Sequence, residues 1–575
     1  NESELMRGIS LQTCDESFMQ QIKGGSQPLN DEERDLLRRW IAAGAPTRVW
    51  KKFEHRQRAT DFAGSKLGRD DVPALTQKVG ALVEQYHASR GTKLNPPVND
   101  QIFVRRVYLD VAGRIPSLRE TRQFLDDATP DKRARLIDNL LNGEGYDSHT
   151  FNWKADQLRL ITKSFPGQPG WMYDLWVKES VRSQMPYDEF VRRLVTAEGY
   201  LWDNGAVGFY LRDLGMPLDH MSNLSRLFLG TRIECAQCHD HPFEPITQKD
   251  FYQLTAFTFG VSNLYTSAGY STDNVKHWDE LLAKLDAIDA PEAVRQNASG
   301  TVAPLKRLTK DTEHRLTFPD VYSNDPGLRG KNVELQTPFG DLPAATTENR
   351  RQVFADWLTS ARNPRFSQNI ANRLFKRVMG LGLIEPVDSL SPVNRPEHPE
   401  LMDFLAEAVA RLGFDERAFL AVLLNSQLYQ SESERSDPEP GVPFALRGPQ
   451  LRRLSAEQVW DSIMTLLVPD IDERKPYRTE QLEALHRPWR QLAELSADEL
   501  LESTLQLTTA RVELRRYTLE LDEKKLELEQ AQDRKDTAAI ARLEAEIAAA
   551  NVGANRARDV IRVEGPVPVR DTDPR

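Results

Sequence analysis

Residues 497–550 read ADELLESTLQLTTARVELRRYTLELDEKKLELEQAQDRKDTAAIARLEAEIAAA. Two apolar series with a seven-residue spacing run through this stretch: Leu507, Leu514, Leu521 and Leu528, and Leu505, Val512, Leu519 and Leu526. This spacing is typical of a helix, because it returns an apolar side chain to one face every two turns. The polar residues 533–536 interrupt the pattern before Ile540 resumes it. The sequence therefore predicts an antiparallel helical hairpin over 497–562. It serves either as a projecting structural arm or as a partner-binding coiled coil.

Helix signals recur along most of the chain. In residues 29–46, Asn30 and Glu33 have the spacing of a capping box, and Gly44 ends the apolar periodicity. Two further stretches open amphipathic helices: Thr129-Pro130-Asp131, followed by apolar spacing through Leu141, and Met185-Pro186-Tyr187-Asp188. We therefore expect a mainly α, multidomain protein.

Residues 285–345 differ from their surroundings, because Pro, Gly, Asn and Thr become frequent and the helical periodicity fades. This composition predicts a connector with a few short strands. Taken in order, the predicted divisions are 1–50, a linker 51–71, a helical domain 72–275, the connector 276–345, a second helical domain 346–496, the hairpin 497–562 and a tail or continuation 563–575.

The bulk composition is that of a globular protein. A chain of 575 residues is too long for one small core, and 39% hydrophobic with 28% charged residues is ordinary for folded domains. The net charge of −11 is spread without a basic block, which argues against a nucleic-acid partner. No apolar run approaches the ~18 residues of a membrane span. The chain begins at Asn1 without a signal segment, so we expect that processing removed one or that the chain is a fragment.

The residues with the clearest chemistry are Cys235-Ala236-Gln237-Cys238-His239. A helix is predicted to end at Gly230, and Thr247, with Asp250 at the capping-box position, is predicted to begin the next helix, Lys249 to Phe259. CxxCH is the spacing of covalent haem c attachment. Two thiols at this distance reach the two vinyl groups at one porphyrin edge, and the adjacent imidazole binds the iron. We expect one haem c on Cys235 and Cys238, with His239 as its axial ligand.

Three alternatives stay open for this motif. A redox disulfide is disfavoured by the lack of a thioredoxin-like strand–helix pattern. Zinc would use Cys235, Cys238, His239 and His241, although seven residues leave little room for a closed tetrahedron. The third alternative is a structural loop without any cofactor. His241 is a weak candidate for a metal ligand, and a hydrogen bond within the loop explains it better. The sixth iron ligand is not assigned; the nearest candidates are Met216, His220, Met221 and His277.

The segments CAQCHDHPF (235–243), TQKDFY (247–252) and, upstream, VRRVYLDVAGRIP (104–116) resemble the planctomycete cytochrome-C-like domain, a family of unknown function named for this motif. The resemblance covers roughly residues 72–270. Residues 349–430 resemble the usual C-terminal companion of that family. They do so through NRR (349–351), ADWL (355–358), NPRF (363–366), ANRL (371–374), GLG (380–382), HPEL (398–401) and NSQLY (425–429). Arg373 and His398 are candidates for polar groups that face a shared cleft.

Residues 3–46 resemble the C-terminal half of the planctomycete-type cytochrome c domain. The resemblance implies that Met19 is the candidate axial ligand of an incomplete N-terminal haem site, whose CxxCH would lie upstream of Asn1, although the two prolines that usually follow this Met are missing. Either the chain is truncated or this domain has lost its haem and Met19 is an ordinary core residue. Cys14 has no partner by spacing.

Together these features predict a c-type cytochrome-like electron carrier rather than a hydrolase or transferase. Covalent haem implies export to the periplasm or cell envelope, and electron transfer implies redox partner proteins. The domain resemblance further implies that the electron carrier supports oxidative processing of an extracellular substrate. The alternative is a non-redox exported scaffold or binding protein whose Cys/His loop is structural or binds zinc.

Overall fold

The computed structural model describes residues 66–160, 170–242, 244–266, 268–322, 324–340, 348–391, 394–435, 444–468, 471–473 and 489–564. All of them lie in one compact unit, Ala59–Arg575. The predicted helix at 29–46, Cys14 and the candidate ligand Met19 lie outside the described residues.

The described part of the chain is mainly helical, as predicted. The helices before the strands are α1 (Val72–Arg90), α2 (Asp100–Val107), α3 (Leu118–Asp126), α4 (Lys132–Leu141), α5 (Glu144–Leu158), α6 (Trp171–Arg182), α7 (Tyr187–Val195), α8 (Gly208–Leu211), α9 (Pro217–Leu224) and α10 (Gln248–Thr255). Between the two strands lie α11 (Trp278–Ala287) and α12 (Glu292–Thr301). The helices after the second strand are α13 (Arg350–Leu358), α14 (Pro364–Met379), α15 (Pro399–Arg411), α16 (Glu416–Leu424), α17 (Gln427–Gln430), α18 (Ala456–Leu467), α19 (Ala497–Asp533) and α20 (Thr537–Glu564).

Local sequence explains several of these helix starts. α4 and α7 begin where the Thr129 and Met185 stretches predict them. At α3 the Ser117 side chain accepts from the Glu120 backbone N–H, while the Glu120 carboxylate accepts from the Ser117 N–H. Such reciprocal bonds satisfy two donors that a helix N-terminus otherwise leaves unpaired.

The two short strands are β1 (Val261–Ser262) and β2 (Lys310–Asp311), which pair antiparallel with Val261 opposite Asp311. Within the predicted connector, the structure differs from expectation, because α11 and α12 occupy residues 278–301. Helix α12 contains Asn, Ser, Gly and Thr, which are weak helix formers. Its buried residues Val294 and Ala298 are four apart, so packing stabilises a helix that intrinsic preference does not favour.

One continuous hydrophobic core runs from Leu75 to Leu500. It includes side chains from both predicted helical domains, such as Phe103 and Phe251 from the first and Phe375 and Phe419 from the second. The two regions are therefore packed against each other through shared apolar side chains.

The C-terminal hairpin is confirmed as α19 followed by α20. Leu521, Ala550 and Ala554 form its own small core. The base of α19 rests on the helices of the connector, where Lys284 Nζ lies 2.6 Å from Asp498 Oδ1 and Asn297 donates to Thr508 Oγ1. In the first seven-residue series, Leu507 and Leu521 are buried and Leu514 and Leu528 are partly buried. In the second, Leu505, Val512, Leu519 and Leu526 are exposed. Among the described helices, none is long and apolar enough to cross a membrane.

Candidate functional site

The CxxCH loop starts at a glycine that the fold requires. A short helical segment, Ser225–Leu229, ends at Gly230, which has a φ of +60°. A Cβ at this position would lie 2.8 Å from Leu390 side-chain atoms and 2.9 Å from Asn369 Oδ1. Both the left-handed backbone and the close approach therefore favour glycine. The Gly230 carbonyl accepts from the Leu390 N–H, which attaches the start of the loop to the second helical region.

The two cysteines lie on one 3₁₀ turn, Glu234–Gln237, with Cys238 at its end. The Cys238 N–H donates to the Cys235 carbonyl over 3.3 Å. Side chains three residues apart eclipse each other on a 3₁₀ turn, so both thiols are on the same side of it. Both are free and exposed, whereas the intervening Ala236 is fully buried and fixes the turn to the core.

His239 is exposed, and its Nδ1 lies 2.7 Å from the Asp240 carbonyl oxygen. A carbonyl can only accept, so Nδ1 carries the proton. In the neutral imidazole the lone pair is then on Nε2. This is the tautomer that a histidine needs in order to bind a metal through Nε2.

The loop is held by side chains from outside the motif. The Gln237 carbonyl accepts from Gln248 Nε2 at 3.1 Å and from the Tyr252 hydroxyl at 3.4 Å. The Asp240 carboxylate accepts from the Gln248 N–H at 2.9 Å and from Asn324 Nδ2 at 2.7 Å. Burial, with smaller contributions from the neighbouring Cys238 and Tyr322, raises the pKa of Tyr252.

Helix α10, which supplies these anchors, begins as predicted. Thr247 and Asp250 form the predicted capping box at its N-terminus. The helix ends at Thr255, four residues earlier than expected, and turns continue to residue 260. The loop is therefore fixed at both ends by ordinary helix-terminus chemistry.

The other candidate ligands lie in different surroundings. His241 Nδ1 accepts from the Glu244 N–H, which is a hydrogen bond within the loop. Met221 is buried and Met216 is half exposed, while His277 lies 3.2 Å from Glu280. No group of three or more His, Cys, Asp or Glu side chains is arranged to hold a metal ion among the described residues.

Arg373 and His398 have different hydrogen-bond and ring contacts. Arg373 donates to Asn369 Oδ1 and to the Arg226 carbonyl, so it ties α14 to the segment that precedes the loop. His398 packs against the Tyr86 ring, with Nε2 3.4 Å from the Phe444 carbonyl. These contacts share no residue, and the shared cleft for Arg373 and His398 stays a prediction.

A second polar arrangement lies beside the loop, and sequence reasoning did not assign it. His220 is 3% exposed, and its Nδ1 lies 2.8 Å from Asp213 Oδ2. The other carboxylate oxygen accepts from Arg212 at 2.7 Å, from Asn223 at 3.1 Å and from Arg159 at 3.3 Å. The seven-residue separation of Asp213 and His220, across the start of α9, is not a recognised motif. The sequence offers only one signal for this arrangement, which is that two polar residues, Asp213 and His220, lie between apolar stretches.

The fold and the loop define a mainly helical protein of two packed helical regions, and the first region carries an exposed CxxCH turn. Residues 78–263 match the family model described as PSCyt2, a protein of unknown function (DUF1549), and residues 350–543 match the one described as PSD1, a protein of unknown function (DUF1553). These two segments are thus similar to the planctomycete-type paired domains that the sequence resembles. It matches no curated protein and no solved structure.

Proposed function

We propose that the chain is a c-type cytochrome-like electron-transfer protein with one haem attached at Cys235 and Cys238 and ligated by His239. The observation that carries the proposal is the combination of two free thiols on one side of a 3₁₀ turn with an adjacent imidazole in the Nε2 lone-pair tautomer. The donor set fits the group, because thioether formation needs accessible thiols and iron binding needs a neutral imidazole nitrogen.

Attachment of haem to the two cysteines needs no oxidant. Each Cys S–H adds across one vinyl C=C bond: the sulfur bonds to one carbon and the hydrogen goes to the other. Cys235 and Cys238, held on one turn, would hold the porphyrin. The Asp240 carbonyl keeps the proton of His239 on Nδ1, so the lone pair on Nε2 would be available to hold the iron. When bound, the haem supplies one-electron chemistry through its iron.

Exposure of the turn supports a role with a protein partner. Cys235, Cys238 and His239 are all exposed, so a group bound there would lie near the surface where a redox partner can approach. Haem c attachment also places maturation outside the cytoplasm, in the periplasm or cell envelope. Support of oxidative processing of an extracellular substrate rests on the domain resemblance alone.

A second candidate is a non-redox scaffold or binding protein in which the loop is structural or binds zinc. It is favoured by the hydrogen bonds that hold the loop through its own side chains, those of Asp240 and His241. Zinc would use the two thiolates and His239 Nε2 and would leave the protein colourless.

The deciding experiment is export of the full chain in a host with a c-type maturation system. We expect a red protein whose Soret absorbance resists acid–acetone extraction, and a 235–239 peptide that carries the mass of haem. The double variant Cys235→Ser/Cys238→Ser loses both signals, and Cys14→Ser, which removes the third cysteine, keeps them. An unmodified 235–239 peptide from fully matured protein overturns the proposal, and stoichiometric zinc in that colourless protein supports the second candidate.

A further inference from the structure

A cavity of about 410 Å³ lies next to the Asp213–His220 pair. Its described lining comes from the start of α9, the end of the turns after α10, strand β1 and the loop after β2: among the lining residues are His220, Thr258, Phe259, Asn263, Thr312 and His314. Its volume is in the range of pockets that hold small molecules.

Two of the residues that line this cavity each carry a buried polar atom that bonds to no described residue. These atoms are His220 Nε2 and Thr258 Oγ1. His220 is 3% exposed and Thr258 is 2% exposed, so neither is solvated in the ordinary way. Buried polar atoms without a hydrogen bond are rare and costly in folded proteins, and each one calls for a partner.

The Asp213 carboxylate defines what His220 offers to that partner. Because the carboxylate accepts from Nδ1, the neutral ring has its lone pair on Nε2. Stacking on Tyr210, at a centroid distance of 4.5 Å, and edge contact with Phe209 fix the ring plane. His220 is therefore an oriented acceptor, and it needs a donor such as a hydroxyl hydrogen.

The charges of the lining favour an uncharged ligand. No lysine or arginine belongs to the described lining, and Asp213 is its single carboxylate. That carboxylate is already neutralised by the guanidinium groups of Arg212 and Arg159. An ionic ligand would have to lose its hydration without gaining a counter-charge.

Three other hydroxyls of the lining are already used, and that of Tyr210 donates to the Val195 carbonyl. Thr312 Oγ1 donates to the Gly260 carbonyl, and Thr266 Oγ1 donates to the Asn263 carbonyl. Phe259 and Val261 add apolar surface between these groups. The pocket thus combines apolar walls with several polar side chains, among them His220, Thr258 and Asn263, a combination that suits a compound with both C–H faces and hydroxyl groups.

We propose that the cavity between α9 and β1 binds a small, neutral, hydroxyl-bearing compound of the polyol class, with its hydroxyl groups bonded to His220 Nε2 and Thr258 Oγ1. The site does not use Cys235, Cys238 or His239, so it stands whether or not the loop attaches haem.

The test is calorimetric titration of the full chain with myo-inositol, D-glucose and D-mannitol. We expect at least one of these probes to bind. Thr258→Val keeps the shape of the side chain and removes its hydroxyl; it weakens binding roughly tenfold, as expected for one lost hydrogen bond. His220→Phe keeps the aromatic contacts and abolishes binding.

Thr255→Val is the matched control. Thr255 is fully buried on α10, three residues before Thr258, but its Oγ1 donates to the Phe251 carbonyl and it does not line the cavity. This variant lowers the unfolding temperature and leaves binding unchanged. Thr258→Val, in contrast, removes an unbonded hydroxyl and keeps the unfolding temperature of the unliganded chain. Failure of all three probes to bind, or equal weakening by the two valine variants, overturns the proposal.

Discussion

Lys154 Nζ lies 2.7 Å from Glu416 Oε2 in the interior of the protein, with the two side chains only 5% and 9% exposed. Lys154 belongs to α5 in the region that matches PSCyt2, and Glu416 begins α16 in the region that matches PSD1. Burial lowers the pKa of Lys154, and the carboxylate of Glu416 opposes that shift. The pair therefore ties the two domains together through charges that water does not reach.

Removing one member of this pair is expected to be far more costly than removing a surface charge. Glu416→Gln leaves Lys154 buried without a counter-charge, and we expect a loss of about 3–5 kcal/mol in the free energy of unfolding. The measurement is urea denaturation followed by circular dichroism.

The matched control is Glu144→Gln, which removes the partner of Arg182 at a surface pair with both side chains nearly half exposed. It changes the free energy of unfolding by less than about 1 kcal/mol. The double variant Lys154→Met/Glu416→Leu removes both buried charges together and recovers most of the stability. A Glu416→Gln effect as small as the Glu144→Gln effect would show that the buried pair does not hold the domains.

Sequence reasoning predicted what depends on neighbouring residues and missed what depends on distant ones. The capping box of Thr247 and Asp250 and the turn of the hairpin follow from local spacing, and both are present. Helix α12 was not expected, because its stability comes from packing under the hairpin rather than from its own residues.

The candidate sites follow the same rule. The CxxCH turn is contiguous, so spacing alone brings Cys235, Cys238 and His239 to one place. The cavity beside His220 is formed by residues from Tyr210 to His314, 104 positions apart, and no local pattern predicts it. The seven-residue series through Val512 and Leu519 is exposed. Seven-residue spacing therefore predicts a helix but does not decide which of its faces is buried.

Gly208 allows two helices to approach closely. A Cβ there would lie 2.4 Å from the Tyr173 ring and 2.5 Å from Tyr173 Cβ, so α8 packs directly on α6. Gly208→Ala forces these elements apart, and we expect it to destabilise the protein by about 1–3 kcal/mol. Gly80→Ala is the control, because Gly80 is inside α1 and has open space around its Cβ position. It stabilises by about 0.5–1 kcal/mol through helix propensity, so thermal melts should shift in opposite directions; shifts of the same sign would refute the packing argument.

His398 is expected to make stability depend on pH. Burial lowers its pKa to about 4 from 6.5, against the opposing effects of the Phe444 carbonyl and Glu397. The unfolded chain therefore binds a proton at this residue at higher pH than the folded chain does. The contribution is fully present above pH 6.5 and is lost as the pH falls from 6.5 toward 4.

The measurement is the urea midpoint at pH 7.5, 6.0 and 4.5. The wild-type midpoint falls over this range, and His398→Gln, which cannot take up the proton, falls less steeply. His149 is half-buried, and desolvation is the main cause that lowers its pKa to about 3. It contributes to the same pH window and retains part of the slope in the variant. Parallel curves for the two proteins would exclude His398 as a source of acid sensitivity.

Gln248 is expected to control the rigidity of the CxxCH turn. Its side chain is 4% exposed, and its Nε2 donates to the Gln237 carbonyl between the two cysteines. Gln248→Ala removes this bond but keeps the backbone N–H that donates to Asp240. One lost hydrogen bond is worth about 1 kcal/mol, so local opening of the turn becomes roughly fivefold more frequent. Hydrogen exchange followed by mass spectrometry detects this as faster exchange in a peptide that covers residues 235–241.

The control for this variant lies one and a half turns along the same helix. Gln253 is equally buried, but its Nε2 donates to Gln336 instead of the loop. Gln253→Ala therefore removes a comparable bond from α10 and leaves exchange in residues 235–241 unchanged. If both variants accelerate exchange in that peptide to the same extent, the turn responds to general loosening of α10 and Gln248 has no specific anchoring role. If neither does, the rigidity that presents the two thiols together comes from the buried Ala236 and the turn itself.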